Sequence, residues 1–513
     1  MIAAIPSAVL IGVDGKLVSV EVHVSNGLPG FTVVGLPDAA VRESRDRVRA
    51  ALLSSGLPWP LRRVTVNLAP SGVRKGGAGL DLPIAIGLLV ASGEVGTGAV
   101  EGMAFLGELG LDGSLRGTPG TLVLAEALRG STLVVPDRSA AEAALSGTGT
   151  VRSAPTLRRL VDCLTGARPW GRPPSVAGSP ERGRAPAPAP PTRDLAEIRG
   201  QRVARRALEV AAAGGHHLLM VGPPGSGKTM LANRLPDLLP PLADPVALES
   251  TRVHSVAGQA LPADGLLTRP PFRAPHHTAS SVSMIGGGTT WMRPGEISLA
   301  HGGVLFLDEM GEFPTVVLDA LRQPLEDGQV RVSRARGSTV FPARFILVGA
   351  MNPCPCGEGG PPGRCRCTAA ARDRYARRLS APLLDRFDLA VRVDRPDVDD
   401  LIGCIPGEST STVADRVTVA RSMARRRQGT ANGELDGAVL ERFAPLDDEA
   451  ATVVELELRA GTLTARGLGR VRRIARTVAD LAGGSPELTA VHVREALLLR
   501  GGRDLLEGTG HRS

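Results

Sequence analysis

The apolar tetrapeptide Leu218-Leu219-Met220-Val221 runs directly into Gly222-Pro223-Pro224-Gly225-Ser226-Gly227-Lys228-Thr229. The second stretch fits Gly-x-x-x-x-Gly-Lys-Ser/Thr, a pattern that works where a buried strand gives way to a tight loop and the loop opens a helix. Gly225 and Gly227 let backbone amides converge on phosphate oxygens, and the helix N-terminus adds positive potential. Thr229 is placed to offer its hydroxyl to Mg2+. Lys228 is one of only three lysines in a chain that otherwise uses arginine. A compact ammonium slips between β- and γ-phosphate oxygens where a planar guanidinium does not, which gives a physical reason for the exception. A chance glycine-rich turn is the alternative, and the strand before it and the helix after it count against that. The segment predicts a nucleotide site on an α/β sheet.

Two more apolar strands end in groups suited to that site. Residues 303–309 read Gly-Val-Leu-Phe-Leu-Asp-Glu, so Asp308 is placed to hold Mg2+ and Glu309 to orient or activate an attacking water. A strand at 345–351 ends at Asn352, whose amide can position the same water. Further on, Leu383-Leu384-Asp385-Arg386-Phe387-Asp388 sets Arg386 just past a helix. There it either reaches a neighbouring subunit's γ-phosphate as a finger or pairs with Asp385 or Asp388. Thr464-Ala465-Arg466-Gly467 opens a helix from which Arg466 is a candidate γ-phosphate sensor.

At 513 residues the chain is too long for one core, and roughly three domains are expected. The sharpest boundary is residues 169–193, where proline density leaves an extended tether. Before it, residues 1–168 alternate strand patterns at 17–24, 31–34 and 64–68 with a helix at 39–54, a mixed α+β unit. Residues 194–395 form the nucleotide unit, with helices predicted at 195–213 and 228–235, the latter stopped by Pro236. Helical periodicity at 413–427, 447–460 and 467–481 predicts an all-helical unit over 396–513.

Charge bears on partners only weakly. A formal +8 and a pI near 9.8 suit an acidic partner and an arginine-rich soluble protein about equally. Aromatics make up 3%, with one tyrosine, so a base-stacking surface is not expected and any nucleic-acid contact should be electrostatic. No run of eighteen apolar residues predicts a membrane span. The apolar N-terminus has no basic residues ahead of it and continues into strand-like sequence, so a cytoplasmic protein without a signal peptide is expected.

Taken in order, these segments resemble the AAA+ ATPases. Pro271-Phe-Arg-Ala-Pro-His-His-Thr278, Leu321-Arg-Gln-Pro-Leu-Glu-Asp-Gly328, Ala350-Met-Asn-Pro-Cys-Pro-Cys-Gly357 and Pro382-Leu-Leu-Asp-Arg386 narrow the resemblance to the magnesium-chelatase-like YifB/ComM family. Gly27-Leu-Pro-Gly-Phe31 and Val34-Gly-Leu-Pro-Asp38 extend it to the N-terminal unit. The resemblance implies ATP and Mg2+ as ligands, a homo-oligomeric ring that is hexameric, and, in the ComM branch, a helicase that moves DNA branches during uptake and recombination. It places Lys228 and Thr229 in the phosphate loop, Asp308 and Glu309 in Walker B, Asn352 as sensor 1, Arg386 as finger and Arg466 as sensor 2. A chelatase motor that remodels a metal-inserting partner, and a nucleotide-switched scaffold, are the competing functions.

The N-terminal unit is similar to Lon-type S5-like domains. Glycine or alanine stands where a Lon serine would fall in Arg74-Lys-Gly-Gly-Ala-Gly-Leu-Asp81, and no lysine follows before Lys228, so proteolysis is not expected. Lys75 with Arg74 forms either a phosphate contact or a solvated turn. Cys354-Pro-Cys356 and Cys365-Arg-Cys367, in an insertion over 354–367, form either a tetrahedral structural Zn2+ site or a reduced, metal-free loop. His276 and His277, being adjacent, should point apart and position a loop rather than share a metal. Residues 329–340 predict a hairpin about Arg336-Gly337. Arg331, Arg334 and Arg336 on it are candidate DNA-phosphate contacts facing a ring pore, or solvated arginines on an edge.

Overall fold

The computed structural model describes residues 2–73, 75–147, 149–172, 193–288, 292–334, 337–358, 365–402 and 407–501. Most of the predicted tether, and Arg74 and Arg336, lie outside these residues.

Strands Ile2–Ile11 and Asp14–Ser25 form an antiparallel hairpin, with Gly12 at φ +65° in its two-residue turn. A positive φ at the first turn position matches the twist of the flanking strands, and glycine adopts it freely. Arg63–Ala69 pairs antiparallel with the second strand, and Gly30–Val34 adds parallel at the edge. Val18, Val20, Val22 and Val24 alternate inward beneath helix Asp81–Ser92. Gly87 permits that approach, since a β-carbon there would stand 2.6 Å from Val22 Cγ2. A parallel three-stranded sheet follows, from Met103–Phe105, Thr132–Pro136 and Val151–Ala154.

The nucleotide unit is built on a five-stranded, all-parallel sheet. Its spatial order is Phe272–Arg273, Val304–Leu307, Ile346–Met351, Leu218–Val221 and Leu389–Arg392. Every residue of the three inner strands is buried, as a sheet covered on both faces requires. The C-terminal helices Thr410–Gln428, Asp448–Arg459, Ala465–Leu481 and Ala490–Leu498 share one hydrophobic core with a face of this sheet. His216 Nε2 lies 2.8 Å from Thr477 Oγ1, so a buried polar bond also crosses that junction.

The N-terminal unit packs on the nucleotide unit. Gly120 N donates to Ser255 O at 2.9 Å, and Glu142 accepts from Leu122 N at 2.9 Å and from the Ser255 hydroxyl. Burial pushes the Glu142 carboxyl upward, partly offset by those bonds.

Several local expectations change. The helix predicted at 39–54 breaks at Glu43 into Ala39–Arg42 and Ser44–Ser54. That predicted at 195–213 is a 3-10 turn, Leu195–Glu197, then Gln201 at φ +51°, then helix Arg202–Gly214. Pro236 does not stop the loop helix, which ends at Ala232. It sits in the first turn of the next helix, Leu235–Leu238, where a missing N–H costs nothing. Lys75 is neither a solvated turn nor an exposed phosphate contact: it is fully buried, with its ammonium donating to Pro70 O, and burial lowers its pKa.

Candidate active site

The glycine loop is held at its first residue from two sides. Gly222 N donates to Met351 O at 3.1 Å, and a β-carbon on Gly222 would stand 1.9 Å from Val393 O, so only glycine fits. Gly225 and Gly227 take φ of +74° and +90°, and helix Lys228–Ala232 starts immediately after. Lys228 Nζ donates to Gly222 O at 2.7 Å and Pro223 O at 2.9 Å, with Ser226 Oγ at 3.5 Å and Asn352 Oδ1 at 3.3 Å. Burial lowers the lysine's pKa, while Asp308 and Glu309 act to raise it. The lysine thus ties the glycine loop to Asn352 at the end of strand Ile346–Met351.

Thr229 donates to Asp308 Oδ2 at 2.7 Å. A hydroxyl and a carboxylate brought together at a strand end are hard oxygen donors of the kind Mg2+ takes. Glu309 has the left-handed φ of +48°, with its N–H bonded to Asp308 Oδ1 at 2.9 Å. Its carboxylate lies 3.2 Å from His277 Nδ1. The expectation that His276 and His277 point apart is corrected here, because their ring centroids are 4.1 Å apart. Nothing in the spacing of the two histidines signalled the Glu309 contact.

Arg386 follows the short helix Ala381–Leu384 and pairs with Glu326, not with Asp385 or Asp388. Asp385 instead lies 3.4 Å from Arg470, and Asp388 pairs with His216 at 3.3 Å. Burial lowers the Arg386 pKa, and the charges of Arg470, Arg322 and Arg466 lower it further. Arg466 is exposed in the first turn of helix Ala465–Leu481, one turn before Arg470. Arg386 and Arg466 therefore belong to one basic cluster, and Lys228 senses Asp308 and Glu309 instead.

Three Sγ atoms of the cysteine insertion lie 3.3 to 3.6 Å apart, and all four, from Cys354, Cys356, Cys365 and Cys367, fall within 4.8 Å of one another. This is compatible with a zinc site. Hydrogen bonds from the backbone of Glu358 and then Arg366 bring the Cys356 thiol down to about 6. The predicted hairpin is present as Gln329–Arg334 and Gly337–Pro342, with Arg331 exposed on it. Val330, Val332 and Phe341 bury its other face in the core.

The glycine loop, the acidic strand two places away and the polar strand end between them define the class: an AAA+ fold of the magnesium-chelatase type. Residues 194–401 match the family described as magnesium chelatase, subunit ChlI; residues 20–139 match subunit ChlI of Mg-chelatase, and 407–500 its C-terminal part. The chain is 42% identical over 508 residues to YifB of Salmonella typhimurium, covering 97% of each. It is also 42% identical over 499 residues to the competence protein ComM of Haemophilus influenzae, again covering 97% of each. The chain belongs to the YifB/ComM family. A more distant relative is the Holliday junction branch migration complex subunit RuvB of Pediococcus pentosaceus, 26% identical over 280 residues, 53% of this chain and 66% of that one. Among the described residues, no helix is long and apolar enough to cross a membrane.

Proposed function

We propose that the protein is an ATP-hydrolysing ring motor that acts on DNA and drives branch migration. The observation that carries this is the division of the site's charges into two groups. Lys228 is hydrogen-bonded to Asn352 and Thr229 to Asp308, whereas Arg386 lies among the charges of Arg470, Arg322 and Arg466. Like charges held together gain from an external anion, and the γ-phosphate bound by an adjacent subunit is that anion. Arg386 and Arg466 then both serve the neighbour's nucleotide, which moves Arg466 from the role of a sensor within its own subunit.

In this scheme Gly222 to Thr229 cradle the phosphates and Lys228 contacts the γ-phosphate. Thr229 and Asp308 would hold Mg2+, which would supply positive charge against the phosphates. Asn352 and Glu309 orient water, and the neighbour's two arginines stabilise charge on the transferring group. Residues 1–168 form a DNA-engaging or assembly unit, 169–193 a tether, 194–395 the motor core and 396–513 its helical lid. Arg331 on the hairpin, with Arg334 and Arg336 of the same sequence segment, grips backbone phosphate without reading bases. Names borne by two relatives, a competence protein and a Holliday junction branch migration complex subunit, support DNA as the substrate; the hexamer and the cytoplasm belong to the proposal itself.

The chelatase-subunit match favours one other function, a motor that remodels a metal-inserting partner. A four-way DNA junction, incubated with ATP and either wild type or Lys228→Ala, separates the two. Branch migration by wild type alone is expected. ATP turnover indifferent to every DNA structure, with no junction moved, sinks the DNA reading and leaves the remodeller.

A further inference from the structure

We propose that Cys354, Cys356, Cys365 and Cys367 bind one Zn2+ ion and that this metal clip holds the phosphate loop in its nucleotide-binding shape. The proposal rests on the nucleotide site described above.

Four thiolates around Zn2+ at about 2.3 Å stand about 3.8 Å from one another in a tetrahedron. The sulfur separations of 3.3 to 3.6 Å, within an overall limit of 4.8 Å, bracket that figure. Such a set, with no oxygen ligand and no open position, is that of a structural zinc rather than a catalytic one. Backbone amides of Glu358 and Arg366 donate to Cys356 Sγ, and such bonds orient a ligating thiolate.

The position of the cluster gives it a task beyond local folding. Cys354 is two residues past Asn352. Gly357, at φ +82°, lies so close to the phosphate loop that a β-carbon would stand 2.6 Å from Pro224 Cδ. Arg395 ties the same two segments, with its Nε 3.5 Å from Pro224 O and a terminal nitrogen 3.3 Å from Glu358 Oε1. On the other side, Thr368 follows Cys367 and caps helix Ala369–Ala376 through Ala371 N. Tyr375 of that helix is buried, and its hydroxyl accepts from the Asn352 backbone. One ion thus joins the sensor strand, a helix that braces it, and the turn that abuts the phosphate loop. Without it, the exposed Arg395 contacts and the Gly357 N–H bond to Cys354 O at 2.9 Å are the described ties left to keep Gly357 against Pro224.

The test measures metal content by elemental analysis and the affinity for a fluorescent ATP analogue by titration, on full-length protein. Wild type should carry about one zinc per chain and, after exchange, give the visible bands of tetrahedral cobalt thiolate. Cys356→Ser with Cys367→Ser should lose zinc and weaken nucleotide binding by about tenfold, or about 1.4 kcal/mol. Gly357→Ala should keep its zinc and weaken binding comparably, which a clip acting only on local stability does not predict. Wild type without zinc, or with iron in its place, overturns the metal assignment. Unchanged nucleotide affinity in both variants overturns the positioning role. Wild type that binds no nucleotide at all removes the underlying site and this proposal with it, an outcome recognisable before any variant is made.

Discussion

The phosphate loop and the Arg386 cluster differ in how their charges are balanced. Around Lys228, each charged or polar group finds a partner in the same chain: the ammonium meets carbonyls and Asn352, and the Thr229 hydroxyl meets Asp308. Around Arg386, arginines crowd together, with Glu326 on Arg386 and Asp385 on Arg470 as carboxylate partners. In the proposed scheme the first arrangement receives a ligand and the second delivers charge to one. An arginine cluster of this kind, partly exposed, is stable enough to persist because water screens it. It becomes strongly favourable only against a phosphate from which water has been displaced.

The largest effect that tests this contrast is Lys228→Ala. It should abolish ATP turnover by a thousandfold or more, because the loop loses its only ammonium at the developing charge. Next, Arg386→Ala should lower kcat by about a thousandfold, the scale of an arginine finger, with nucleotide affinity nearly intact. Mixing the two inactive variants makes the comparison sharp. A Lys228→Ala subunit still supplies Arg386, and an Arg386→Ala subunit still supplies a complete loop, so mixed rings should regain turnover. If the mixture stays inactive while assembling normally, the two groups do not meet across an interface.

Much of the first region was legible from residue order because its chemistry is local. Val221, Lys228 and Thr229 are close along the chain, and apolar strands announce Asp308 and Asn352 by ending there. The second region was only half legible. Arg386 was visible as a basic residue after a helix, but its partner Glu326 lies sixty residues earlier, and no local pattern links the two. Adjacent carboxylates, Asp385 and Asp388, were the natural candidates, and tertiary packing gave them to Arg470 and His216 instead. The helix boundaries that shifted share one cause. Gly200-Gln201 and the proline at 236 mark a restart of the backbone, which periodicity alone carries straight through. Lys75 shows the limit in the other direction, since a lysine beside glycines reads as solvated and only the fold reveals its burial.

A smaller effect separates the two possible addresses of Arg466. Arg466→Ala should reduce kcat by about a hundredfold, typical of one preorganised donor at a transition state. Mixed with Lys228→Ala it should recover, and mixed with Arg386→Ala it should not, because both arginines must come from one supplying subunit. Recovery in the second mixture assigns Arg466 to its own subunit's loop and divides the basic cluster between two sites.

The smallest effect concerns Glu309, which belongs to the loop side by sequence but is held from the other direction. Strand Phe272–Arg273 is the outer neighbour of Val304–Leu307, while Leu218–Val221 lies two strands away on the opposite side. His277, just past that outer strand, holds the Glu309 carboxylate at 3.2 Å. If Glu309 activates water as proposed, a carboxylate engaged by His277 is less available for it. His277→Ala should raise basal kcat about threefold, an amount equal to about 0.7 kcal/mol off the barrier, with KM unchanged. His277→Gln, which keeps a donor, should stay close to wild type. A fall in kcat for the alanine variant would instead make His277 the group that aligns Glu309 for attack, and would place the loop after Phe272–Arg273 on the catalytic side of the comparison.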